Sequence, residues 1–319
     1  MSKSEMAIIR AQADFAINLL SNVVFEQNKP LESTILSPLS LSMALAMVYV
    51  GADGLKEEET HAYFAKQLNS YNDYKPKNYT LELANKVFVQ KGFKIFEEFK
   101  NFIDEYYGGK FELLNFAENV EAAKIINEFV EKTTHDKIKN LISPDSLTTD
   151  TRLVLVNAVY FKGKWSSPFD SELTEKKTFY INAEKNKEVD MMKKTSSFVY
   201  FETEELQMLK MFYSSGSSED DEDIYMVVFL PKERFGLQKM IKNLNGEKIL
   251  KLLEHGHKTK VDVEGTEAAA ATAIIIETRG MIIETRTPQF IADQPFYYAI
   301  MNKNKDGGQE FLFAGVFYG

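Results

Sequence analysis

Two short segments carry side chains that could bind a metal ion. Gly216–Asp223 reads GSSEDDED and could offer carboxylates to a cation, and His255-Gly-His257 could supply half of a site. Nothing in the surrounding sequence holds those carboxylates in place, and no third ligand lies near the two histidines. We therefore interpret the first segment as a solvated hairpin loop and the second as ordinary histidines. We expect no bound metal and no cofactor.

The chain also lacks the residues that a hydrolytic enzyme needs. It has four histidines, no cysteine and no GxSxG-like nucleophile elbow, so neither a serine triad nor a cysteine nucleophile has support. The net charge of −9 and the isoelectric point near 5.2 argue against nucleic acid or an anionic membrane as the partner. We expect no enzymatic activity.

The N-terminal segment predicts an amphipathic helix. Apolar residues recur at helical spacing within MSKSEMAIIRAQADFAINLL, and Arg10 and Asp14 interrupt them, which is unlike a secretory signal. The absence of cysteine fits a reducing compartment. We therefore expect a cytoplasmic protein, with an extracellular location as the alternative.

The predicted secondary structure changes after Pro144 from mainly helices to mainly strands. The first 145 residues are mostly helical in pattern, and Leu39–Tyr49 is apolar almost all round, which predicts a buried helix. Arg152–Phe161 is a nearly continuous apolar run, typical of a strand that is covered on both faces. Helices first and strands later indicate an α+β fold. No linker interrupts the chain, so we expect one domain over residues 1–319 and a monomer.

The run from Glu264 to Ala273 has conflicting local preferences. It reads EGTEAAAATA, and its four successive alanines favour a helix. Gly265 and the β-branched triplet Ile274–Ile276 oppose one. We interpret the run as a segment that can be a loop in one state and a buried strand in another.

This run resembles the reactive-loop hinge of the serpins, and the resemblance extends over nearly the whole chain in family order. The other matching blocks are Ser37–Ser40, Met43–Ala52, Leu83–Phe88, Ile126–Ile138, Val154–Trp165, Phe290–Phe296 and Phe311–Val316. The resemblance implies a serpin fold, with a helical N-terminal part, a large mixed central sheet and two smaller sheets. It also implies a sheet-opening cluster made by Ser37, Ser40, Asn157 and Trp165.

In inhibitory serpins a protease attacks an exposed loop, and the cleaved loop inserts into the central sheet before the acyl-enzyme is hydrolysed. The resemblance implies a loop over residues 264–289, with a hinge formed by Glu264, Gly265, Thr266, Glu267, Ala268, Ala269, Ala270, Ala271, Thr272 and Ala273. One strand face of this hinge carries only small side chains, namely Thr266, Ala268, Ala270 and Thr272.

By the spacing from Gly265, the resemblance implies a reactive bond at Arg279–Gly280, and an arginine there implies a trypsin-like serine protease as the target. The loop contains a near-repeat, because Ile275–Arg279 and Ile282–Arg286 both read IIETR. Arg286–Thr287 is therefore an alternative reactive bond. A cysteine protease is an alternative target.

The chain departs from the family pattern just before the hinge. In a complete serpin this segment supplies one strand of a smaller sheet, two strands of the central sheet and a helix. Here Lys251–Lys260 runs almost directly into Val261–Gly265, so we predict that those elements have no counterpart and that the central sheet is incomplete. Only Val261–Glu264 could represent the end of the strand that leads into the hinge. Two hypotheses follow: a protease inhibitor, or a serpin-fold isoform without inhibitory action that is a protease substrate or binds another protein.

Overall fold

The computed structural model describes residues 1–26, 29–51, 58–72, 78–214, 224–266 and 287–319. The α+β class is confirmed, with helices mainly in the first half and strands mainly in the second. Within the described residues the helices are α1 (Lys3–Val24), α2 (Pro38–Gly51), α3 (Glu58–Asn72), α4 (Glu97–Tyr107), α5 (Asn119–Thr133), α6 (Leu237–Asn243) and α7 (Gly246–Glu254). No helix in these described ranges is both long and apolar enough to cross a membrane.

Twelve strands lie in the same ranges. They are β1 (Thr34–Leu36), β2 (Tyr79–Gln90), β3 (Lys110–Leu114), β4 (Leu153–Gly163), β5 (Glu175–Tyr180), β6 (Asn186–Glu202), β7 (Leu206–Phe212), β8 (Ile224–Pro231), β9 (His257–Thr266), β10 (Gln289–Ile291), β11 (Phe296–Lys303) and β12 (Gln309–Phe317).

The larger sheet has nine strands in the order β1-β12-β11-β8-β7-β6-β9-β10, with β5 paired to β6 beside this path. Strand β6 is 17 residues long and pairs with β5, β7 and β9 along different parts of its length. The family resemblance predicts two smaller sheets beside a central one. The described residues form two sheets in all, because the long β6 joins strands that would otherwise belong to separate sheets.

The smaller sheet has three strands in the order β3-β2-β4. Strand β4 carries the apolar run that predicted a strand covered on both faces, yet only two of its eleven residues are buried. In the part of the chain that the structure describes, β4 lies at one edge of this sheet. The strand itself is confirmed, but the prediction that both faces are covered is wrong.

Contacts divide the chain into two compact units. One contains residues 9–38 and 163–319 together with Met1, and the other contains residues 2–8 and 39–162. In the first unit, apolar side chains of α1, α6 and α7 pack on β7, β8, β11 and β12. In the second unit, α5 packs on β2, β3 and β4. The expectation of a single domain stays a prediction.

Helix α2 is present where the sequence predicts it, but it is not buried all round. Leu41, Leu45, Val48 and Tyr49 are 37%, 51%, 57% and 50% exposed. These positions fall at helical spacing and form one open apolar face. An apolar sequence shows that a helix can be covered on every side, but it does not show which neighbours are present.

The nine-stranded sheet contains one buried lysine. Lys210 of β7 is 8% exposed, and its Nζ donates a 2.5 Å hydrogen bond to the carbonyl oxygen of Leu253, near the end of α7. The same Nζ lies 4.9 Å from the ring centre of Tyr225. Burial, with a smaller contribution from the positive charge of Lys303, lowers the pKa of Lys210 to about 8.

This lysine should give the folded protein a distinctive pH dependence. An unfolded lysine titrates at about 10.4, so between pH 8 and 10 this side chain binds more protons in the unfolded chain than in the folded chain. The contribution of Lys210 to the free energy of unfolding should therefore rise with pH, by about 2 kcal/mol between pH 8 and 9.5. Lys210→Met should remove that increment in urea unfolding measured at both pH values. An unchanged increment in the variant would contradict the assignment to Lys210.

Candidate functional site

The first residues of the predicted hinge lie inside a strand. Glu264, Gly265 and Thr266 end β9, where they pair with Lys193, Met192 and Met191 of β6. The opposite edge of β9 pairs in parallel with β10, so that Val263 lies beside Phe290 and Glu264 beside Ile291. Strand β9 therefore has a hydrogen-bonded neighbour on both sides.

Ion pairs hold Glu264 in this position. Its carboxylate lies 2.7 Å from Nζ of Lys177 and 3.7 Å from Nζ of Lys193, and its side chain is 17% exposed. The hydrogen bond to Glu264 raises the pKa of Lys177. The backbone is fixed as well, because the carbonyl oxygen of Glu264 accepts a 2.8 Å hydrogen bond from the amide of Ala292.

The segment between α7 and the hinge corrects one prediction. Val261–Glu264 was expected to represent at most the end of a central-sheet strand, but the whole of His257–Thr266 forms β9 of the nine-stranded sheet. The alternation of polar residues with Val261 and Val263, which are 0% and 3% exposed, is the strand signal that predicts it. The hinge therefore follows directly from a strand that belongs to a different sheet from β4.

Both ends of the predicted loop are close together. The amide of Asp262 donates a 3.0 Å hydrogen bond to the carbonyl oxygen of Pro288, and Gln289 begins β10. Thr287 is half-buried. The other loop residues singled out in the sequence lie outside the described residues, namely Glu267, Ala268, Ala269, Ala270, Ala271, Thr272, Ala273, Arg279, Gly280 and Arg286. The acidic segment Gly216–Asp223 also lies outside them.

Two members of the predicted polar cluster are in contact. The hydroxyl of Ser40, in α2, donates a hydrogen bond to Oδ1 of Asn157 in β4. The amide of Asn157 donates in turn to Oδ1 of Asn85 in β2. Asn85 then donates a 3.1 Å bond to the carbonyl oxygen of Tyr107, at the end of α4. These hydrogen bonds tie two helices to two strands of the three-stranded sheet.

This polar network continues to a buried histidine that the sequence analysis missed. The hydroxyl of Tyr107 lies 2.5 Å from Nδ1 of His61 in α3, and these side chains are 1% and 0% exposed. Burial raises the pKa of Tyr107. Asn85 lies in the matched block Leu83–Phe88, which was the signal for it. His61 gave no comparable signal.

The other two cluster residues have separate environments. The hydroxyl of Ser37 donates a 2.8 Å hydrogen bond to the carbonyl oxygen of Leu312 in β12. Trp165 is 6% exposed and stacks on Tyr213 with ring centres 4.3 Å apart. The same two residues form a β-bridge. Burial also raises the pKa of Tyr213.

Comparison with known proteins agrees with this fold. The family model described as "Serpin (serine protease inhibitor)" matches residues 10–263. The antitrypsin of Bombyx mori is 30% identical over 372 residues, which cover 95% of this chain and 92% of that protein. An uncharacterized serpin-like protein of Methanosarcina acetivorans is 34% identical, with 72% of this chain matched to 56% of that protein's length. The solved structure "Cleaved Serpin 42Da" superposes with a TM-score of 0.82 at 23% identity, covering 99% of each chain.

The chain belongs to the serpin family. Its alignment with antitrypsin also contains unmatched positions. The match to antitrypsin runs over 372 residues but contains only 95% of the 319 residues here, so about 70 aligned positions have no counterpart in this chain. The absence of three strands and a helix before the hinge stays a prediction.

Proposed function

We propose that this chain acts on a trypsin-like serine protease as a suicide-substrate inhibitor, with Arg279–Gly280 as the reactive bond. The observation that carries the proposal is the hinge, in which every residue on one strand face from Thr266 to Thr272 is small. A face of this kind can be buried in a sheet without steric conflict. Family membership and the likeness to a protein named antitrypsin support the same function.

The mechanism has two requirements, and features of the sequence support both. The protease must form an acyl bond with the loop, and Arg279 offers the side chain that a trypsin-like specificity pocket accepts. The loop must then become a strand faster than water attacks the acyl bond. Charged or bulky side chains on the buried face would slow that step, and none is present at Ala268 or Ala270.

A second function is favoured by the position of β9. Glu264 and Gly265 pair with β6 on one side, Glu264 also pairs with β10 on the other side, and β4 belongs to another sheet. If the loop inserts beside β4, the strand within the matched block Val154–Trp165, the start of the hinge must first leave a strand with two neighbours. If that step is slower than hydrolysis, the protease cuts the loop and departs, and the chain is a substrate.

Incubation with trypsin, followed by a denaturing gel, separates the two functions. An inhibitor gives an SDS-stable band that contains both proteins, and Ala270→Glu should convert this band into cleaved chain because the charge would have to be buried. Ala271→Glu is the matched control, since Ala271 lies on the opposite strand face, and it should keep the complex. Complete cleavage of the wild-type chain without any complex would refute inhibition and support the substrate function.

A further inference from the structure

We propose that an apolar cavity beside the hinge binds a small, flat, neutral aromatic molecule that carries one hydrogen-bonding group. The cavity has a volume of about 200 Å³ and lies among residues of the nine-stranded sheet. Strand β9 contributes Val263 and Gly265 to its wall, and the β10 segment contributes Phe290 and Ala292. The site does not depend on cleavage of the loop, so it stands or falls separately from protease inhibition.

The walls select for an apolar occupant. Trp165, Phe290 and Phe296 line the cavity and are 6%, 2% and 7% exposed. Apolar cavities of roughly 150 Å³ in proteins stay dry and take up molecules such as benzene. A cavity of about 200 Å³ therefore suits a molecule with one or two fused rings.

Three methionines make the cavity adaptable. Met192, Met211 and Met226 come from three different strands and line the same space. Their unbranched thioether side chains can adjust to a ligand and make favourable contacts with an aromatic ring. The lining can therefore accept flat aromatic ligands that differ somewhat in size and outline.

The polar groups of the wall determine the charge of the ligand. Tyr298 lines the cavity, and its hydroxyl lies beside Gly315 of β12. Burial raises the pKa of Tyr298, so the hydroxyl stays neutral and can donate. The carboxylate of Glu264 is already paired with Lys177 and Lys193. A neutral ligand with one hydroxyl or amine group fits this arrangement.

The probe that tests this site is 2-naphthol, and tryptophan fluorescence of the chain reports its binding. Trp165 is the single tryptophan of the sequence and lines the cavity, so a bound naphthol should quench its emission by energy transfer. Fluorescence and isothermal titration calorimetry should both show saturable one-to-one binding. Absence of saturable binding to folded wild-type chain would overturn the proposal.

Two variants locate the site. Tyr298→Phe keeps the ring and removes the hydroxyl, so it should weaken 2-naphthol binding about threefold to tenfold and leave naphthalene binding unchanged. Ala292→Phe should fill the cavity and abolish binding of both probes, with thermal melting as the check that the variant is folded. If Ala292→Phe does not fold, the comparison of the two probes on Tyr298→Phe still decides. Binding that neither substitution alters would lie elsewhere and would refute the assignment.

Discussion

Replacing Arg279 with glutamate is expected to lower the rate of loop cleavage by trypsin by about 1,000-fold or more at that bond. A trypsin-like protease recognises arginine through a carboxylate in its specificity pocket, and a glutamate would place two like charges together there. Any covalent complex should be lost to the same extent, because the acyl bond is formed at this residue. The measurement is the rate of appearance of cleaved chain and complex on a denaturing gel, with fragment masses to identify the bond.

The IIETR repeat supplies the matched control. Arg286→Glu introduces the same charge into the same local sequence seven residues later, and it should leave cleavage after Arg279 unchanged. If instead Arg286→Glu abolishes cleavage and Arg279→Glu does not, Arg286–Thr287 is the reactive bond. If neither single variant slows cleavage, the protease does not select between the two repeats, and the assignment of one reactive bond is wrong.

Asn85→Ala should lower the free energy of unfolding of the unit that contains the three-stranded sheet by about 2 to 4 kcal/mol. Asn85 is 8% exposed, accepts a hydrogen bond from Asn157 and donates one to the carbonyl oxygen of Tyr107. Removing it leaves both partners without these bonds, in a region where water cannot fully replace them. Urea unfolding measures the change in the free energy of unfolding.

An exposed asparagine provides the comparison for this substitution. Asn186 begins β6 and is exposed, so Asn186→Ala should change the free energy of unfolding by less than about 0.5 kcal/mol. Equal effects of the two substitutions would show that the network around Asn85 contributes little to stability. In that case a contribution to stability could not explain the hydrogen bond between Ser40 and Asn157.

Local sequence patterns were sufficient to predict helices and strands whose buried positions follow from their own periodicity. The apolar run Ile224–Leu230, which Pro231 ends, predicts a strand, and β8 lies there with seven of its eight residues buried. The sequence also predicts short helices over Leu237–Leu244 and Glu247–Glu254, and α6 and α7 lie there. The family resemblance added a non-local contact that no periodicity contains, between Ser40 and Asn157, which are 117 residues apart in sequence.

The sequence was insufficient where the outcome depends on a distant partner. Val261 and Val263 alternate with polar residues, but only the ten-residue register against β6 decides which sheet they join. Likewise, the apolar character of α2 and β4 is a property of their own side chains. Whether those side chains are covered depends on other segments of the chain, and about 70 positions of the antitrypsin alignment are empty here. The cavity beside Gly265 is of the same kind, since seven strands contribute to it.

Strands on the two sides of the loop, such as β9 and β10, are paired with each other, and this affects what happens after the loop is cut. A chain broken after Arg279 becomes two polypeptides, and the shorter one carries β10, β11 and β12. Strand β11 of that fragment is bonded to β8 of the longer one, and Phe290, Tyr297 and Phe311 are at most 2% exposed. We therefore expect the two pieces to stay associated until denaturant separates them. Cleavage at this bond would then leave the size of the native protein unchanged, because neither fragment would be released.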